Sequence, residues 1–248
     1  MSGKAEKVKK TKTLIIASYG LQPKHVTLET LAVLKKCGIV FSHCLDRGGK
    51  DLLARSCARF EPLRGLSLAE TAGRVKKAFS SYDTVGFITY GNPFFLNATT
   101  ALINKEMAAA GIAVAVLPAI SSFDSIVNLL DLNKFSLNGL RLVDTAAAME
   151  QMKFTPAMDT LFFVVGDLNL KGNEKYRAAF LKGLEENYPA KHPVTIINCP
   201  TIENDLGRLV KTSVSKFKTV FSKADLVSTI LVPGVPPSGG QDRGKRGK

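Results

Sequence analysis

The first half of the chain alternates short apolar runs with segments whose apolar residues recur every three or four positions. Continuous β-branched runs are typical of buried parallel strands, and the longer spacing is typical of amphipathic helices. The run at Thr13–Ser18 ends at a Tyr-Gly pair, and residues 26–36 follow helical spacing with Thr27 as the N-cap. Because strands and helices alternate, we predict a parallel α/β sheet. Its other predicted strands are 39–42, 84–90 and 112–117, and its other predicted helices are 68–79, 98–110 and 121–130.

The second half shows the same elements in a less regular order. The apolar runs predict a mixed sheet, because several strands follow one another without a helix between them. We therefore expect a parallel-sheet N-terminal α/β domain at residues 13–119 and a mixed-sheet C-terminal α/β domain at 120–237. The predicted strands of this half are 139–143, 160–165, 194–198, 208–213 and 227–232, and its predicted helices are 173–187 and 215–221.

The chain has 248 residues, of which 45% are hydrophobic and 22% are charged, a composition typical of a globular protein. Its net charge is +13, but residues 1–12 contain five Lys and one Glu, and residues 238–248 contain four basic residues and one Asp. Both ends are polar and low in large apolar residues, so we predict disordered basic tails. The charge that remains on the folded part is ordinary for its size, which argues against a nucleic-acid partner.

No apolar run reaches the length of about 18 residues that a membrane span requires, and the chain does not start with an apolar leader. We therefore expect a cytoplasmic protein without a membrane partner. Four cysteines are present, and none belongs to a Cys-x-x-Cys pair or has a histidine at metal-ligand spacing. Reduced structural thiols are expected, and no metal site is predicted.

Several common catalytic motifs are missing. Neither Gly-x-Gly-x-x-Gly nor Gly-x-x-x-x-Gly-Lys-Ser/Thr occurs, which excludes the usual dinucleotide and P-loop sites. None of the three histidines stands in a Gly-x-Ser-x-Gly or His-Glu-x-x-His context, so the sequence gives no support for a hydrolase triad. The carboxylates Asp124, Asp131, Asp159 and Asp167 are dispersed along the chain, so their spacing does not indicate a glycosidase pair.

Three turns that follow predicted strands have an unusual composition: residues 17–22, 90–97 and 118–122. Open parallel sheets bind ligands at the carboxyl ends of their strands, and small residues let a ligand approach the main chain there. Phe94 and Phe95 either cover an apolar or adenine face of a ligand or pack into the core. The residues therefore predict a ligand cleft without naming the ligand.

Taken in order, these turns resemble those of the tetrapyrrole methylase superfamily of S-adenosylmethionine-dependent methyltransferases. That superfamily has a Gly-x-Gly-Pro-Gly-Asp type turn, a Gly-Asp-Pro type turn and a Pro-Gly-Ile-Ser-Ser turn, to which residues 17–22, 91–93 and 118–122 correspond. The resemblance extends from about residue 14 to residue 237. Within the superfamily, residues 90–93, 159–167 and 228–233 look most like the borosin-type peptide backbone N-methyltransferases and their bacterial relatives.

The resemblance implies two α/β domains with S-adenosylmethionine in a cleft between them, S-adenosylhomocysteine as the product, and a homodimer. Most of the cofactor contacts would involve the main chain. By position, the implied cofactor contacts are Gly20, Tyr90, Gly91, Asn92, Phe95, Ser121, Ser122, Val165 and Pro200.

If the acceptor is a peptide amide, the site has to stabilise negative charge while the amide loses its proton. The resemblance assigns this role to Arg64, and Tyr90 either donates to the amide oxygen or acts as a base whose pKa the arginine lowers. Only eleven residues follow Pro237, so we expect the peptide to be a separate chain.

Two departures keep other functions open. Leu68 and Ala58 occupy positions where backbone N-methyltransferases carry tyrosine, and Ala17 and Ala119 replace glycines of the turns. A non-catalytic or scaffolding protein that binds the cofactor is therefore one alternative. A tetrapyrrole acceptor would instead require an apolar trough with a cationic rim, for which Arg47, Arg55, Arg59 and Arg64 are the candidates. The phrases of the ribosomal-RNA branch are absent, which argues against an RNA acceptor.

Overall fold

The computed structural model describes residues 11–44, 47–132, 138–201 and 206–235. Apart from residues 11 and 12, the two tails predicted to be disordered lie outside these ranges. The described residues form two compact units. The first unit reaches Ser125 and also includes Thr201; the second runs from Ile126 to Pro200 and resumes at residue 206.

The first unit contains a five-stranded sheet in which every pair of neighbouring strands is parallel. The order of the strands across the sheet is β3-β2-β4-β1-β5. The central strands β1 and β4 are paired over six residues, from Thr13 opposite Thr84 to Ser18 opposite Thr89. The strands are β1 (Thr13–Ser18), β2 (Ile39–Ser42), β3 (Phe60–Pro62), β4 (Thr84–Thr89) and β5 (Ala113–Val116).

Helices cover both faces of this sheet, which is why its strands are continuous apolar runs. One face packs against α3 and α4 through Ile16 and Phe87, and the other packs against α1 and α2 through Ala17 and Ile88. The helices of the first half are α1 (Leu28–Leu34), α2 (Arg47–Ser56), α3 (Leu68–Ala78), α4 (Ala98–Ala109) and α5 (Ser122–Leu129).

The starts of these helices are set by side chains that satisfy free backbone N–H groups. Thr27 accepts a hydrogen bond from the N–H of Thr30, which confirms the predicted N-cap of α1. Ser67 and Glu70 form a reciprocal capping box at the start of α3. After the C-terminal end of α4, Gly111 takes the left-handed conformation with φ of 69°.

The second unit contains a mixed five-stranded sheet, as predicted, in the order β6-β7-β10-β8-β9. The pair β6 and β7 is parallel, and the other three pairs are antiparallel. The strands are β6 (Leu140–Asp144), β7 (Asp159–Phe163), β8 (Pro193–Asn198), β9 (Arg208–Ser213) and β10 (Thr229–Val232). Its helices are α6 (Thr145–Ala148), α7 (Glu174–Asn187) and α8 (Val214–Val220).

All the strands and helices predicted from the pattern are present, with ends displaced by at most two residues, and β1, β2 and β9 have the predicted ends. Three further elements, α2, β3 and α6, escaped prediction. The segment of α2 contains adjacent glycines and several charges, which weaken the helical pattern. The strand β3 is only three residues long, lies at the edge of the sheet and ends in Pro62, which is tolerated there.

None of the helices in the described ranges is both long enough and apolar enough to cross a membrane.

The core of the second unit depends on a cluster of aromatic rings around Phe180 on α7. The ring of Phe180 lies 5.2 Å from that of Phe162 and 6.0 Å from that of Phe221, measured between centroids. Because Phe180 is 1% exposed, we expect Phe180→Ala to lower the free energy of unfolding by about 3–5 kcal/mol. Urea denaturation of the full chain, followed by circular dichroism, measures this loss. Leu226→Ala, at a position that is 56% exposed, is the control and should cost less than about 0.5 kcal/mol. A cost below about 1 kcal/mol for Phe180→Ala would contradict this description of the core.

Candidate functional site

The connections of the first sheet define a crevice between its two central strands. From β1 the chain passes to β2, on one side, whereas from β4 it passes to β5, on the other side of β1. Where connections leave adjacent strands in opposite directions, a crevice opens outside their carboxyl ends, and this is the usual ligand site of such sheets. We call the side of the sheet where the strands end its carboxyl edge, and the opposite side its amino edge.

The turns after β1 and β4 meet at this crevice through two glycines. The N–H of Gly91 donates a hydrogen bond of 3.0 Å to the carbonyl oxygen of Gly20, and the two residues form an isolated antiparallel bridge. Their φ values are 72° for Gly20 and 66° for Gly91, in the left-handed region that glycine adopts without strain. We call this pair the glycine bridge.

The two glycines of the bridge have different surroundings. A Cβ atom on Gly20 would lie 2.7 Å from the Cβ of His25, so the turn after β1 has no room for a side chain there. A Cβ atom on Gly91 would meet only the Cδ2 of Leu21, at 3.9 Å. Gly91 is itself buried, but the position of a Cβ atom beside its main chain is not filled by other atoms, and such room is what close approach of a ligand requires.

Asn92 links the turn after β4 to the turn after β5. Its Oδ1 accepts a hydrogen bond of 3.0 Å from the N–H of Phe94, and its Nδ2 donates one of 3.4 Å to the carbonyl oxygen of Ala119. The next turn residues include Leu96, a non-glycine residue with φ of 53°. Such a conformation costs about 1–3 kcal/mol and is concentrated at functional sites.

Phe94 and Phe95 follow Asn92 and lie outside the buried clusters of the first unit. The side chain of Phe94 is 46% exposed, and that of Phe95 is half-buried. Phe94 is therefore not the core residue that one interpretation of the sequence suggested. A role for Phe95 in covering the cofactor stays a prediction.

Ser121 is the N-cap of α5. Its N–H and its hydroxyl both donate to Oδ2 of Asp124, at 2.6 and 2.7 Å, and its Oγ accepts from the N–H of Asp124 at 3.3 Å. This reciprocal arrangement fixes the turn after β5. These bonds occupy the N–H and the hydroxyl of Ser121. The cofactor contacts expected at Ser121 and at the adjacent Ser122 stay predictions.

Tyr90 occupies the first position after β4, directly before the glycine bridge. The side chain is half-buried and packs edge-on against Tyr19, with 6.3 Å between ring centroids and 69° between ring planes. The hydroxyl of Tyr19 in turn donates a hydrogen bond of 3.2 Å to the carbonyl oxygen of Cys44. The ring of Tyr90 is thus supported by the turns that follow β1 and β2.

Arg64 lies just beyond the carboxyl end of β3. The preceding Leu63 is buried, and its N–H donates to the carbonyl oxygen of Ser42 at 2.8 Å, which fixes the main chain there. Since β2 separates β3 from β4, the ends of the two strands are about 10 Å apart. Arg64 and Tyr90 therefore share one edge of the sheet. The side chain of Arg64 is exposed, so its effect on nearby charge is screened by solvent.

The four arginines proposed as a rim are divided between the two edges of the sheet. Arg47 starts α2 at the carboxyl edge, the same edge as Arg64. Arg55 stands in the last turn of α2, and Arg59 precedes β3, so both belong to the amino edge. Arg59 also donates a hydrogen bond of 3.2 Å to the hydroxyl of Tyr82, which precedes β4. The rim of four arginines is therefore not formed.

The two residues that replace expected tyrosines are also separated. Leu68 is the first residue of α3 and is 47% exposed at the carboxyl edge. Ala58 precedes β3 and belongs to the amino edge. A tyrosine at the position of Ala58 would belong to the amino edge, away from the candidate site. The absence of a tyrosine there is therefore weaker evidence against a backbone N-methyltransferase than the sequence alone suggested.

Val165 and Pro200 belong to the second unit, where both follow strands that end at the same edge. Because β7 and β8 are each antiparallel to β10, which lies between them, β7 and β8 run in the same direction. Val165 is fully buried and follows Val164, a β-branched residue with a strained φ of 57°. The structure thus brings Val165 and Pro200 to one edge of the second sheet.

A separate cleft of about 420 Å³ opens near the end of β6 in the second unit. It contains none of the predicted site residues. Close to β6, burial and the neighbouring Asp144 raise the pKa of Asp167. In the described ranges, no group of three His, Cys, Asp or Glu side chains has the arrangement of a metal site. The cleft is lined by Ala146, Ala147, Met149, Glu150, Gln151 and Tyr176.

One residue at the site that sequence reasoning passed over is Gln22, at the end of the turn after β1. Its side chain is 2% exposed, and its Nε2 donates a hydrogen bond of 2.6 Å to the carbonyl oxygen of Thr201, another residue of the first unit. Only the position of Gln22 next to Pro23 hinted at a structural role, because its partner lies far along the chain.

Comparisons with known proteins identify the family and the fold of the chain. The model of the family described as tetrapyrrole (corrin/porphyrin) methylases matches residues 13–205. The structure is similar to uroporphyrin-III C-methyltransferase from Thermus thermophilus, with 15% identity, 90% of this chain and 92% of that chain covered, and a TM-score of 0.65. It is also similar to cobalt precorrin-4 methyltransferase, a cobalamin biosynthetic enzyme, with 16% identity, coverages of 89% and 94%, and a TM-score of 0.63.

A search among curated proteins finds no match to the chain. The similarity to the two solved structures confirms the predicted fold class, with a parallel sheet in one unit and a mixed sheet in the other. The family model covers more than half of the chain, including all three turns at the carboxyl edge of the first sheet. The chain belongs to the tetrapyrrole (corrin/porphyrin) methylase family of S-adenosylmethionine-dependent methyltransferases.

Proposed function

We propose that this methyltransferase methylates backbone amide nitrogens of a separate peptide. The observation that carries the proposal is the position of Tyr90, a supported phenol between the glycine bridge and the carboxyl ends of β2 and β3. If the cofactor occupies the crevice at Gly91, the methyl acceptor has to lie next to the phenol of Tyr90. The resemblance of residues 90–93 to the borosin-type enzymes supports the same acceptor.

The turns of the first unit suit S-adenosylmethionine. The space beside the Cα of Gly91 is not filled by other atoms, and Asn92 holds the turns after β4 and β5 together, so the cofactor has room beside a fixed main chain. In this proposal Gly20, Gly91 and Asn92 contact the cofactor, with Phe95 against one of its faces. The other proposed contacts are Tyr90, Ser121 and Ser122 in the first unit and Val165 and Pro200 in the second.

The bound cofactor supplies an electrophilic methyl group on a sulfonium. The reaction breaks the amide N–H bond and the C–S bond and forms an N–C bond, so that the sulfur keeps the bonding pair and the proton passes to solvent. The chain has to align the amide with the methyl carbon and stabilise the negative charge that develops on the amide oxygen. Tyr90 donates a hydrogen bond to that oxygen, and Arg64 adds a positive charge at the same edge of the sheet.

A tetrapyrrole acceptor is the second candidate. The two solved structures with similar folds are named for activity on uroporphyrin III and cobalt precorrin-4, which favours this class. A tetrapyrrole carries several carboxylates, and these need a cationic rim. Only Arg47 and Arg64, of the four candidate arginines, belong to the carboxyl edge. We therefore rank the peptide first. The predicted homodimer agrees with either acceptor.

The first test concerns the cofactor and uses Gly91→Ala. The new Cβ atom occupies the open space beside the main chain of Gly91, so we expect the affinity for S-adenosylhomocysteine to fall about ten-fold or more, equivalent to about 1.4 kcal/mol. Calorimetric titration of the full chain measures this affinity. Gly111→Ala is the matched control, because Gly111 has φ of 69° and no atoms within 4 Å of a new Cβ, but lies at the amino edge.

Both substitutions force alanine into a left-handed conformation and should cost a similar amount of stability, about 1–2 kcal/mol. Loss of affinity in Gly91→Ala alone would place the cofactor at the glycine bridge. Equal affinities for S-adenosylhomocysteine in the two variants would show that the cofactor does not bind at the glycine bridge.

The second test concerns the acceptor. The full chain is incubated with S-adenosylmethionine and, separately, with unstructured apolar peptides or reduced uroporphyrin III, and mass spectrometry locates the added methyl groups. We expect methylation of backbone nitrogens in the peptides. Tyr90→Phe should lower kcat about 100- to 1000-fold, as loss of one oxyanion-hole donor does. Tyr82→Phe is the matched control, since Tyr82 stands at the amino edge, and should leave kcat unchanged.

A second pair of variants separates the arginines of the two edges. Arg64→Ala should slow amide methylation, and Arg59→Ala should not, because Arg59 pairs with Tyr82 at the amino edge. Methylation of the tetrapyrrole without methylation of any peptide would overturn the proposal in favour of the second candidate. Binding of the cofactor without methylation of either acceptor would favour a non-catalytic protein.

A further inference from the structure

The exposed large apolar side chains of the first unit are gathered at one edge of its sheet. Among the described residues of this unit, seven such side chains are at least 38% exposed, and all seven belong to the carboxyl edge, where strands end and helices start. Single exposed apolar residues are ordinary on a protein surface, whereas a contiguous group of them indicates a binding surface. The distribution therefore points to a ligand with apolar groups at this edge.

Four of these side chains lie along the side of the sheet that α3 and α4 cover. Leu66 and Leu68 lead into α3, and Leu96 directly precedes the cap of α4. Val116 ends β5 and shares a face of the strand with Val114, which packs against the cluster under α3 and α4. Because α3 packs against α4, and α4 against β5, the four side chains follow one another along the edge. We call these four exposed side chains, Leu66, Leu68, Leu96 and Val116, the apolar strip.

Fixed main-chain segments carry the apolar strip. The reciprocal hydrogen bonds between Ser67 and Glu70 hold the start of α3 at Leu68. Leu96 has the strained φ of 53°, and Asn97 beside it fixes the start of α4 as its cap. The strand β5 is paired with β1 over its whole length. A surface that is already ordered loses little conformational entropy when it binds a ligand, so the strip is suited to recognition.

The sequence of α3 does not provide the usual partner for Leu66. A hydrophobic residue directly before an N-cap commonly packs against the fourth residue of the helix. In α3 the fourth residue is Thr71, which is polar and buried. The side chain of Leu66 is therefore left at the surface, where a bound ligand can cover it.

The apolar strip has the dimensions of a short extended peptide. Four strand spacings of about 4.8 Å separate β3 from β5, so the strip is about 19 Å long. An extended chain rises about 3.3 Å per residue, and a segment of about six residues therefore matches this length. A stable interface between two folded chains takes about 20–30 residues on each side. A row of four side chains is too small for a second folded copy of this chain and is suited to a peptide.

We propose that the apolar strip binds an extended segment of the acceptor peptide, about six residues long, with apolar side chains at alternate positions. This inference rests on the proposed function. The strip starts two residues after Arg64, which the proposed function places beside the reacting amide, so the bound segment continues from that amide. Because alternate side chains of an extended chain share one face, about three of the six contact the strip. The strip then determines which peptides bind rather than how fast the methyl group is transferred.

The affinity for peptides is measured first, in the complex of the full chain with S-adenosylhomocysteine, so that no reaction takes place. The probes are peptides of three, six and nine residues in which Val and Ser alternate, and calorimetry measures their binding. We expect the two longer peptides to bind with similar affinity, because a segment of about six residues already covers the strip. The shortest peptide should bind about ten-fold more weakly, because it loses at least one buried Val side chain.

The variant Leu68→Ser tests the strip itself. Removing a half-exposed leucine that a ligand covers should weaken binding of the six-residue peptide about five- to ten-fold. In the methylation assay, KM should rise by the same factor while kcat stays within about two-fold of the wild type. Affinity for S-adenosylhomocysteine, measured in the same variant, shows whether the fold is retained.

Leu28→Ser is the matched control. Leu28 and Leu68 are both exposed first residues of helices at the carboxyl edge, and each follows an N-cap with a hydroxyl side chain. The helix that starts at Leu28 is α1, which covers the opposite face of the sheet. We therefore expect Leu28→Ser to change the affinity for the six-residue peptide by less than about two-fold.

Equal peptide affinities of Leu68→Ser and the wild type would overturn the inference, and methylation of backbone amides by the wild type would still support the proposed function. Peptide binding that depends on Leu68, without methylation of any amide, would overturn the proposed function and, with it, the description of the bound peptide as the methyl acceptor. A wild-type dimer that Leu68→Ser converts to a monomer in sedimentation velocity would show that a second copy covers the strip, which also overturns the inference.

Discussion

The hydrogen bond between Gly91 and Gly20 is the constraint on which the rest of the candidate site depends. It joins the turns after the two central strands of the first sheet, where the connections depart in opposite directions. Both residues need a left-handed main chain, and Gly20 has no room for a Cβ atom beside His25. The bridge therefore brings two turns close together and leaves room for a Cβ atom beside the main chain of Gly91. In the proposed function the cofactor is recognised mainly by main-chain groups, which place few demands on the side chains of these turns.

The carboxyl edge of the first sheet is divided chemically on either side of β4. Toward β1 and β5 stand the glycine bridge, Asn92 and the cap of α5, which offer main-chain groups and few charges. Toward β2 and β3 stands Arg64, which offers a positive charge. Tyr90 directly follows β4, the strand that lies between these two regions. In the proposed function, the cofactor lies on the side of β1 and β5, and the acceptor lies on the side of β2 and β3. The methyl group is transferred from one side to the other beyond the carboxyl end of β4.

Sequence patterns predicted the strands and the three turns because buried parallel strands are continuous apolar runs and ligand turns follow them. They failed where the pattern is weak, because α2 contains adjacent glycines and several charges and β3 is only three residues long. The arginine rim failed for a different reason: between Arg47 and Arg64 the chain runs from the carboxyl edge to the amino edge and back, so residues close in sequence reach opposite ends of the sheet. The hydrogen bond between Gln22 and Thr201 was beyond prediction, since the two residues lie far apart along the chain.

The central claim is that the cofactor binds at the turns that follow β1, β4 and β5. Hydrogen–deuterium exchange of the full chain, with and without saturating S-adenosylhomocysteine, tests it directly, because main-chain contacts slow the exchange of the amides concerned. The account predicts slower exchange at residues 18–22, 90–95 and 118–122 and unchanged exchange at the amino edge, at residues 58–60, 82–84 and 111–113. Protection confined to the amino edge, or to the cleft lined by Ala146 and Tyr176, would contradict it.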